Sequence, residues 1–377
     1  MVRSHLNGSR SFTAVVKPAR GEDAVSDYHI RKASEGDRDR VIRLVSKMWS
    51  EDIAPRYERF YLSNPHGHAL TWLAIEDSTG ETVGCTSIFP RRVIVDGRER
   101  TGSIGGDCYI EPRMRRRGIA TALHKESLAR MREDGIDFMY GPPNPSNLHA
   151  LVKAGSRIVT SFKRWVRPLA GRAVYRAAFA RVPSRLEAQI AGLPLRVLDR
   201  LTRADARGFT LEEVTSFGPE FDSLFERAAA GHRVVCVRDR DYLHWRYLKS
   251  PGRRQVPFAV RHEGELVGFV SLEANGEQAA IVDMFSLTDQ KVTEATLQLA
   301  LDQVAAMSCS GLEVSCTPAD ALAPSLRRLG FIGRSDRGFQ VAVREQERQS
   351  DTLLNPNAWH FMAADQDMDI FFSDLPE

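Results

Sequence analysis

Between residues 70 and 111, apolar and polar positions follow one another in short runs broken by turn residues. LTWLAIE (70–76), ETVGCTSIF (81–89) and RRVIVDG (91–97) each carry the β-branched, aromatic and alternating character of strands. STG between the first two and DG at the end of the third supply turn chemistry, so the three predict an antiparallel meander. Upstream, Val41, Ile42, Val45 and Met48 follow Asp37 at helical spacing. Downstream come GGDCYIE (105–111), Pro112, a basic turn and a helix of about 18 residues starting near Arg117. On that helix Ala120, Leu123, Leu128 and Met131 share one arc, and Lys125, Glu126, Arg132 and Glu133 the other. Gly135 is expected to end it, IDFMYG (136–141) to form a strand, and a helix to follow NPSN. The order predicts an α+β fold, a mixed sheet with helices on both faces and one β-α-β crossover.

The second half repeats the first. FYLSNP near residue 60 corresponds to RYLKSP near residue 245. Tyr61, Leu62 and Pro65 match Tyr247, Leu248 and Pro251; Gly84 matches Gly268, and Asp107 matches Asp283. A single repeat of this length signals a duplicated domain, not a solenoid. The chain of 377 residues is therefore expected to divide into a tail (1–27), an α+β unit (28–168), an Arg-rich helical linker (169–208), a second such unit (209–345) and an extension (346–377).

Composition narrows the class. Hydrophobic residues make up 42% and charged residues 27%, which fits a folded protein, and a net charge of +3 gives no reason to expect a nucleic-acid partner. The five cysteines include no C-x-x-C pair, which fits reduced thiols and a cytoplasmic setting. The N-terminal stretch lacks the apolar core of a secretory signal, and no apolar run is long enough to span a bilayer. Residues 167–207 hold nine Arg against Glu187, Asp199 and Asp205. Solvated linker helices are the plain reading of this segment; a peripheral membrane or partner contact is the other.

The chemistry concentrates at Arg115-Arg116-Arg117-Gly118-Ile119-Ala120, where a strand hands over to a helix. A helix start presents unpaired amides and partial positive charge, so arginines crowd there only with an anion to balance them. Gly118 lets that anion approach the backbone. The pattern is that of a pyrophosphate cradle.

GGDCYIEPRMRRRGIATALHKESLARMREDGIDFMYG resembles the acyl-CoA-binding segment of the GNAT acetyltransferase superfamily. The R-x-x-G-x-A loop, Ile110-Glu111-Pro112 before it and Asn147-Leu148-His149-Ala150 after it carry the resemblance. It implies two tandem GNAT-like domains and an acyl-CoA, such as acetyl-CoA, as co-substrate. The loop residues 115–120 and Asn147 would hold the CoA, and the Ile110 amide would face the thioester carbonyl. The reaction implied is acyl transfer to an amine, with no metal. In the second unit the corresponding stretch, Leu287 to Thr293, has neither glycine nor arginine and carries Asp289, so no CoA site is expected there. The DRDYLHWRYLKSP segment and the WHFMAADQDMD tail are similar to tandem GNAT proteins of bacterial polysaccharide and nucleotide-sugar pathways. That likeness implies a small-molecule amine acceptor, such as an amino-sugar nucleotide, and leaves a homodimer open.

A base must take the proton of the attacking amine. Asp107, three residues before Ile110, is the candidate base, and a structural aspartate is the alternative. The position that carries an acidic tyrosine in many superfamily members is Leu151, so His149 and Tyr140 are the nearby candidates for the acid. Asp365, Asp367 and Asp369 are read as an exposed acidic tail, and Trp245 as core or as a platform for a nucleotide-sugar ring. Two rival functions remain: a tandem-domain ligase using aminoacyl-tRNA, and a non-catalytic acyl-CoA-binding protein.

Overall fold

The computed structural model describes residues 27–49, 52–171, 184–249, 255–318, 320–334, 340–345 and 351–366. The tail at 1–26 and Asp367 and Asp369 lie outside the described residues. The first half runs β1 (Tyr28–Lys32), α1 (Arg38–Trp49), β2 (Leu70–Glu76), β3 (Thr82–Val95), β4 (Arg98–Ile110), α2 (Ile119–Ala129), β5 (Phe138–Gly141), α3 (Pro145–Lys153), β6 (Arg157–Ser161) and β7 (Lys163–Pro168). Then come α4 (Arg185–Thr202), β8 (Phe209–Glu213), α5 (Pro219–Ala229), β9 (Val234–Cys236), β10 (Gln255–His262), β11 (Glu265–Asn275), β12 (Gln278–Ser286), α6 (Gln290–Ala306), β13 (Gly311–Cys316), α7 (Leu322–Arg328), β14 (Ile332–Arg334), β15 (Gln340–Glu345) and β16 (Trp359–His360).

The α+β expectation holds, with helices on both faces of a mixed sheet. Side chains alternate across a strand, and β2 shows what that does. Leu73 and Ile75 join the core under Val41, Leu44 and Val45 of α1. Trp72 and Ala74 join the core under Ile119, Leu123 and Leu128 of α2. β2 spans the predicted run, whereas the two runs after it form one long strand, β3. The Asp96-Gly97 turn, with φ of 48° and 76°, folds β3 back onto β4, as the DG signal predicts. Helix α2 is shorter than predicted: it ends at Ala129, and turns carry the chain to Gly135 (φ 71°).

The two halves build the same sheet twice and exchange one strand. The first sheet is ordered β1-β2-β3-β4-β5-β15-β6, with β9 and β16 added beside β3. The second is ordered β14-β7-β13-β12-β11-β10-β8. Position by position the orders correspond, but β15 from the end of the chain lies between β5 and β6, and β7 from the first half lies between β13 and β14. Neither 28–168 nor 209–345 therefore closes its own sheet. Each would leave two rows of backbone groups unpaired, which is costly when buried.

A second seam joins the halves at two π-helical turns, Tyr57–Leu62 and His244–Leu248, which are copies of each other. Trp245 Nε1 donates to Arg59 O at 3.2 Å, and Arg59 Nη2 donates to Arg246 O at 2.7 Å. The Phe60 and Trp245 rings meet edge to face at 5.4 Å. Trp245 is buried in this seam, so its core role is the one observed and the ring is not open to a ligand. Asp365 is likewise no exposed acid. It is buried, accepting from Arg238 Nη2 at 2.6 Å, with Arg91 at 3.5 Å.

The exchange sets a test. Residues 1–208 and 209–377 expressed separately are expected to show no cooperative thermal transition by circular dichroism. Co-expressed, they should assemble and regain one. A sharp transition in residues 1–208 alone would show that the first sheet closes without β15.

Candidate acyl-CoA site

The site begins with an irregularity in β4. Between the pairs Cys85↔Tyr109 and Ser87↔Gly106, β4 has one residue more than β3, and Asp107 takes up the excess at a φ of 47°. A left-handed aspartate inside a strand needs strong local partners. Asp107 has them: Tyr61 Oη donates at 2.8 Å, Arg56 at 3.1 and 3.2 Å, and Trp49 Nε1 at 3.2 Å. Its carboxylate is buried and surrounded by donors from α1, from the π-helical turn and from Arg56 just before that turn. In the second half Asp283 occupies the same place and accepts from Tyr247 Oη at 2.8 Å and Arg238 Nε at 2.9 Å.

Ahead of the bulge, β4 has already parted from its parallel neighbour. Pairing with β5 covers Gly102, Ser103 and Ile104 only. The Glu111 amide donates to Val83 O at 2.9 Å on the β3 side. Amides of successive strand residues point to opposite edges, so the Ile110 amide faces the edge that β5 has left. At that edge Arg115 Nε donates to Ile110 O at 3.0 Å. A small cavity of about 30 Å³ lies in the divergence, lined by Gly105, Met139, Gly141, Asn147 and Leu151 among others.

The loop above it is open. Arg115, Arg116, Arg117 and Gly118 are exposed, while Met114 and Ile119 on either side anchor it in the core. Gly118 is the N-cap of α2 at a φ of 83°, and a Cβ there would meet nothing within 4 Å. No side chain caps the helix, and its first turn holds no acid. Arg116 adopts a φ of 63° and has no protein partner among the described residues. Arg117 is paired with Asp27. Arg113 is committed elsewhere, to Glu76 at 2.7 and 2.9 Å and to Glu81 at 3.0 Å; its hydrogen bonds draw the Glu76 carboxyl down to about 2. A helix start of this kind suits a diphosphate. The corresponding start of α6 is closed. Asp289 caps it, accepting from the Lys291 and Val292 amides at 2.7 and 3.1 Å.

Asn147 joins the two crossover helices. Its amide donates to the Asn144 side chain at 2.9 Å, and its Oδ1 meets His124 Nε2 at 2.8 Å. His124 is buried, and that burial holds its imidazole below the ordinary histidine value. His149 is not brought to the cavity: it is exposed on α3, while Asn147 and Leu151 line the cavity. Tyr140 is buried with its hydroxyl 3.2 Å from Cys236 Sγ, and burial raises its phenol well above 10. Cys108, beside the bulge, has its thiol pushed up to about 12 by burial, so it offers no thiolate near neutral pH.

The sequence reading did not single out a wider cavity on the α1 side, of about 540 Å³. Arg40, Arg43 and Lys47 of α1 line it, facing Glu81, Glu111 and Arg113. The basic residues recur on α1 at intervals of three and four, which was the available signal. Lys47 Nζ donates to Glu111 at 2.5 Å.

Residues 29–152 match the family model described as an acetyltransferase (GNAT) domain, so this segment carries a domain of the acyl-CoA-dependent N-acyltransferase class. No match was found among curated proteins. Solved structures share the fold at 14–15% identity. A probable N-acyltransferase from Enterococcus faecalis aligns over 86% of this chain and 74% of its own, with a TM-score of 0.63. A GCN5-related N-acetyltransferase from Anabaena variabilis aligns over 85% and 73%, with a TM-score of 0.61. The N-myristoyltransferase of Saccharomyces cerevisiae, solved with bound myristoyl-CoA, aligns over 85% and 83%, with a TM-score of 0.52. Alignments of that extent include strands of both sheets.

Two variants probe the loop. Arg116→Glu sets a negative charge beside the open helix start and should weaken CoA binding by about tenfold or more, roughly 1.4 kcal/mol, measured by calorimetry. Gly118→Val, forced to a positive φ, should cost about 1–3 kcal/mol locally and act in the same direction. Cys108→Ala should leave turnover within about twofold if the thiol takes no covalent part.

Proposed function

We propose that this protein transfers an acyl group from acyl-CoA to the amine of a small acceptor that bears an anionic group, with an amino-sugar nucleotide as the leading candidate. The observation that carries the reading is the uncapped, arginine-flanked start of α2 beside the edge where β4 and β5 part. The loop holds the pyrophosphate through the amides after Gly118 and through Arg115 and Arg116. The pantetheine follows the divergence past Gly105 and Asn147, and the Ile110 amide donates to the thioester oxygen. As the amine attacks, charge gathers on that oxygen, and a preorganised amide stabilises it.

The acceptor enters from the α1 side. Arg40, Arg43 and Lys47 give that cavity a basic wall suited to a phosphate or carboxylate. The amine nitrogen attacks the thioester carbon, the C–S bond breaks, and the sulfur leaves as the CoA thiolate. The nitrogen must lose one proton. Asp107 is a poor receiver, because donors from Arg56, Tyr61 and Trp49 already fill its oxygens. We assign it to holding the bulge. Glu111 follows Ile110, lines the acceptor cavity and is held by Lys47, and it is the carboxylate placed to take the proton, directly or through water. Departure of the thiolate needs no protein acid, which leaves His149 without a required role.

The test pairs two variants. With acetyl-CoA and a panel of amino sugars and their nucleotides, Glu111→Gln should lower kcat by about 100-fold or more while CoA affinity holds. Asp107→Asn should instead lower thermal stability together with CoA affinity. Turnover with peptides alone, or full activity of Glu111→Gln, would count against this assignment.

A further inference from the structure

Helix α4 is fixed to the body by one face and leaves the other bare. Its start is closed by a capping box, with Glu187 N donating to Ser184 Oγ and Ser184 N to Glu187 Oε2 at 2.8 Å. On the inner side, Arg167 Nη2 reaches Thr202 Oγ1 at 3.4 Å and Asp199 at 3.5 Å. Gly192 passes Gly171, and Leu198 lies against Gly330. Arg203, just past the helix, pairs with Asp302 at 2.7 and 3.0 Å.

The outer side carries Leu186, Ile190, Leu193, Val197 and Leu201, which are 65, 58, 54, 57 and 79% exposed. Steps of four, three, four and four residues put all five in one row along a helix about 27 Å long. An aliphatic row this continuous and this exposed marks a contact surface. Arg196 and Arg200 each precede a member of the row by one residue, so both lie along the same flank. Both are exposed at the rim of a cavity of about 760 Å³ between α4 and the body, which Asp199 and Asp302 also line, and neither has a protein partner among the described residues. The acids of the helix are engaged, Glu187 in the cap and Asp199 with Arg167 and Arg203. Nine Arg against three acids across 167–207 extend the same sign beyond the helix.

We propose that α4 seats the protein on an anionic lipid surface, with the aliphatic row in the headgroup layer and Arg196 and Arg200 on the lipid phosphates. A helix apolar on one side and arginine-bearing beside it binds such a surface through both terms together. Among the described residues no helix is long and apolar enough to cross a membrane, so the contact is lateral. A second copy fits the row less well. Antiparallel pairing of two α4 helices brings both arginine pairs to the same edge, where they repel.

Flotation of the full chain with vesicles tests this independently of acyl transfer. Binding is expected to vesicles of phosphatidylcholine containing phosphatidylglycerol. It should be weaker with phosphatidylcholine alone and should fall as salt is raised. Leu193→Glu with Val197→Glu should reduce partitioning at least tenfold. Arg196→Glu with Arg200→Glu should remove the preference for anionic lipid, each arginine contributing about fivefold. All four positions face solvent, and unchanged CoA binding checks the fold of both variants. Wild-type protein that ignores both kinds of vesicle overturns the proposal, as does a row variant that floats as well as wild type. A wild-type dimer in sedimentation that the row variant abolishes, without vesicle binding, also overturns it and assigns the row to self-association.

Discussion

The first-half site depends on a single residue held where a strand residue does not ordinarily sit. Asp107 at a φ of 47° adds a residue to β4 three positions before Ile110, past the point where pairing with β5 ends, and so sets which way the Ile110 amide faces along that unpaired edge. The conformation is expensive for a residue with a Cβ. Four hydrogen bonds from Tyr61, Arg56 and Trp49 offset that cost, and they come from α1, from the π-helical turn and from the residue just before that turn. The turn is in its place because Trp245 and Arg246 of the second half grip Arg59. The route from the far half of the chain to the Asp107 bulge is thus a short series of direct contacts.

The two sheets correspond strand for strand but differ at one helix start. Both copies keep the tyrosine–aspartate pair that shapes the central strand, Tyr61 with Asp107 and Tyr247 with Asp283. They differ at the following helix start. Gly118 leaves the amides of α2 open, whereas the Asp289 carboxylate takes the equivalent amides of α6. One side chain thus occupies the amides that the other copy leaves open. The second copy contributes scaffold, through its π-helical turn and the strand that it lends.

Local chemistry was legible in the sequence; distant pairing was not. The exposed, arginine-flanked start of α2 could be read because its residues are neighbours in sequence, whereas Asp27, Glu76 and Glu81, which pair with Arg117 and Arg113, are far away. β2 and the Asp96-Gly97 turn could be read because a strand's alternation and a tight turn's left-handed residues are short-range properties. The exchange of β7 and β15 could not, since two strands of one repeat present the same pattern to either sheet. Asp365 looked like an exposed acid because its arginine partner, Arg238, is 127 residues away in sequence. Glu111 passed unnoticed as the variable residue before Pro112; only the cavity it lines and its pairing with Lys47 mark it.

The crossed strands also bear on how the chain is made. During synthesis at about 5–20 residues per second, the first half emerges with a slot between β5 and β6 that cannot be filled until residue 345 is out. For roughly ten seconds or more, β7 likewise waits for β13 and β14. The nascent protein therefore carries an open strand position and an unpaired strand at once, and both edges stay exposed to other chains until the last strands arrive.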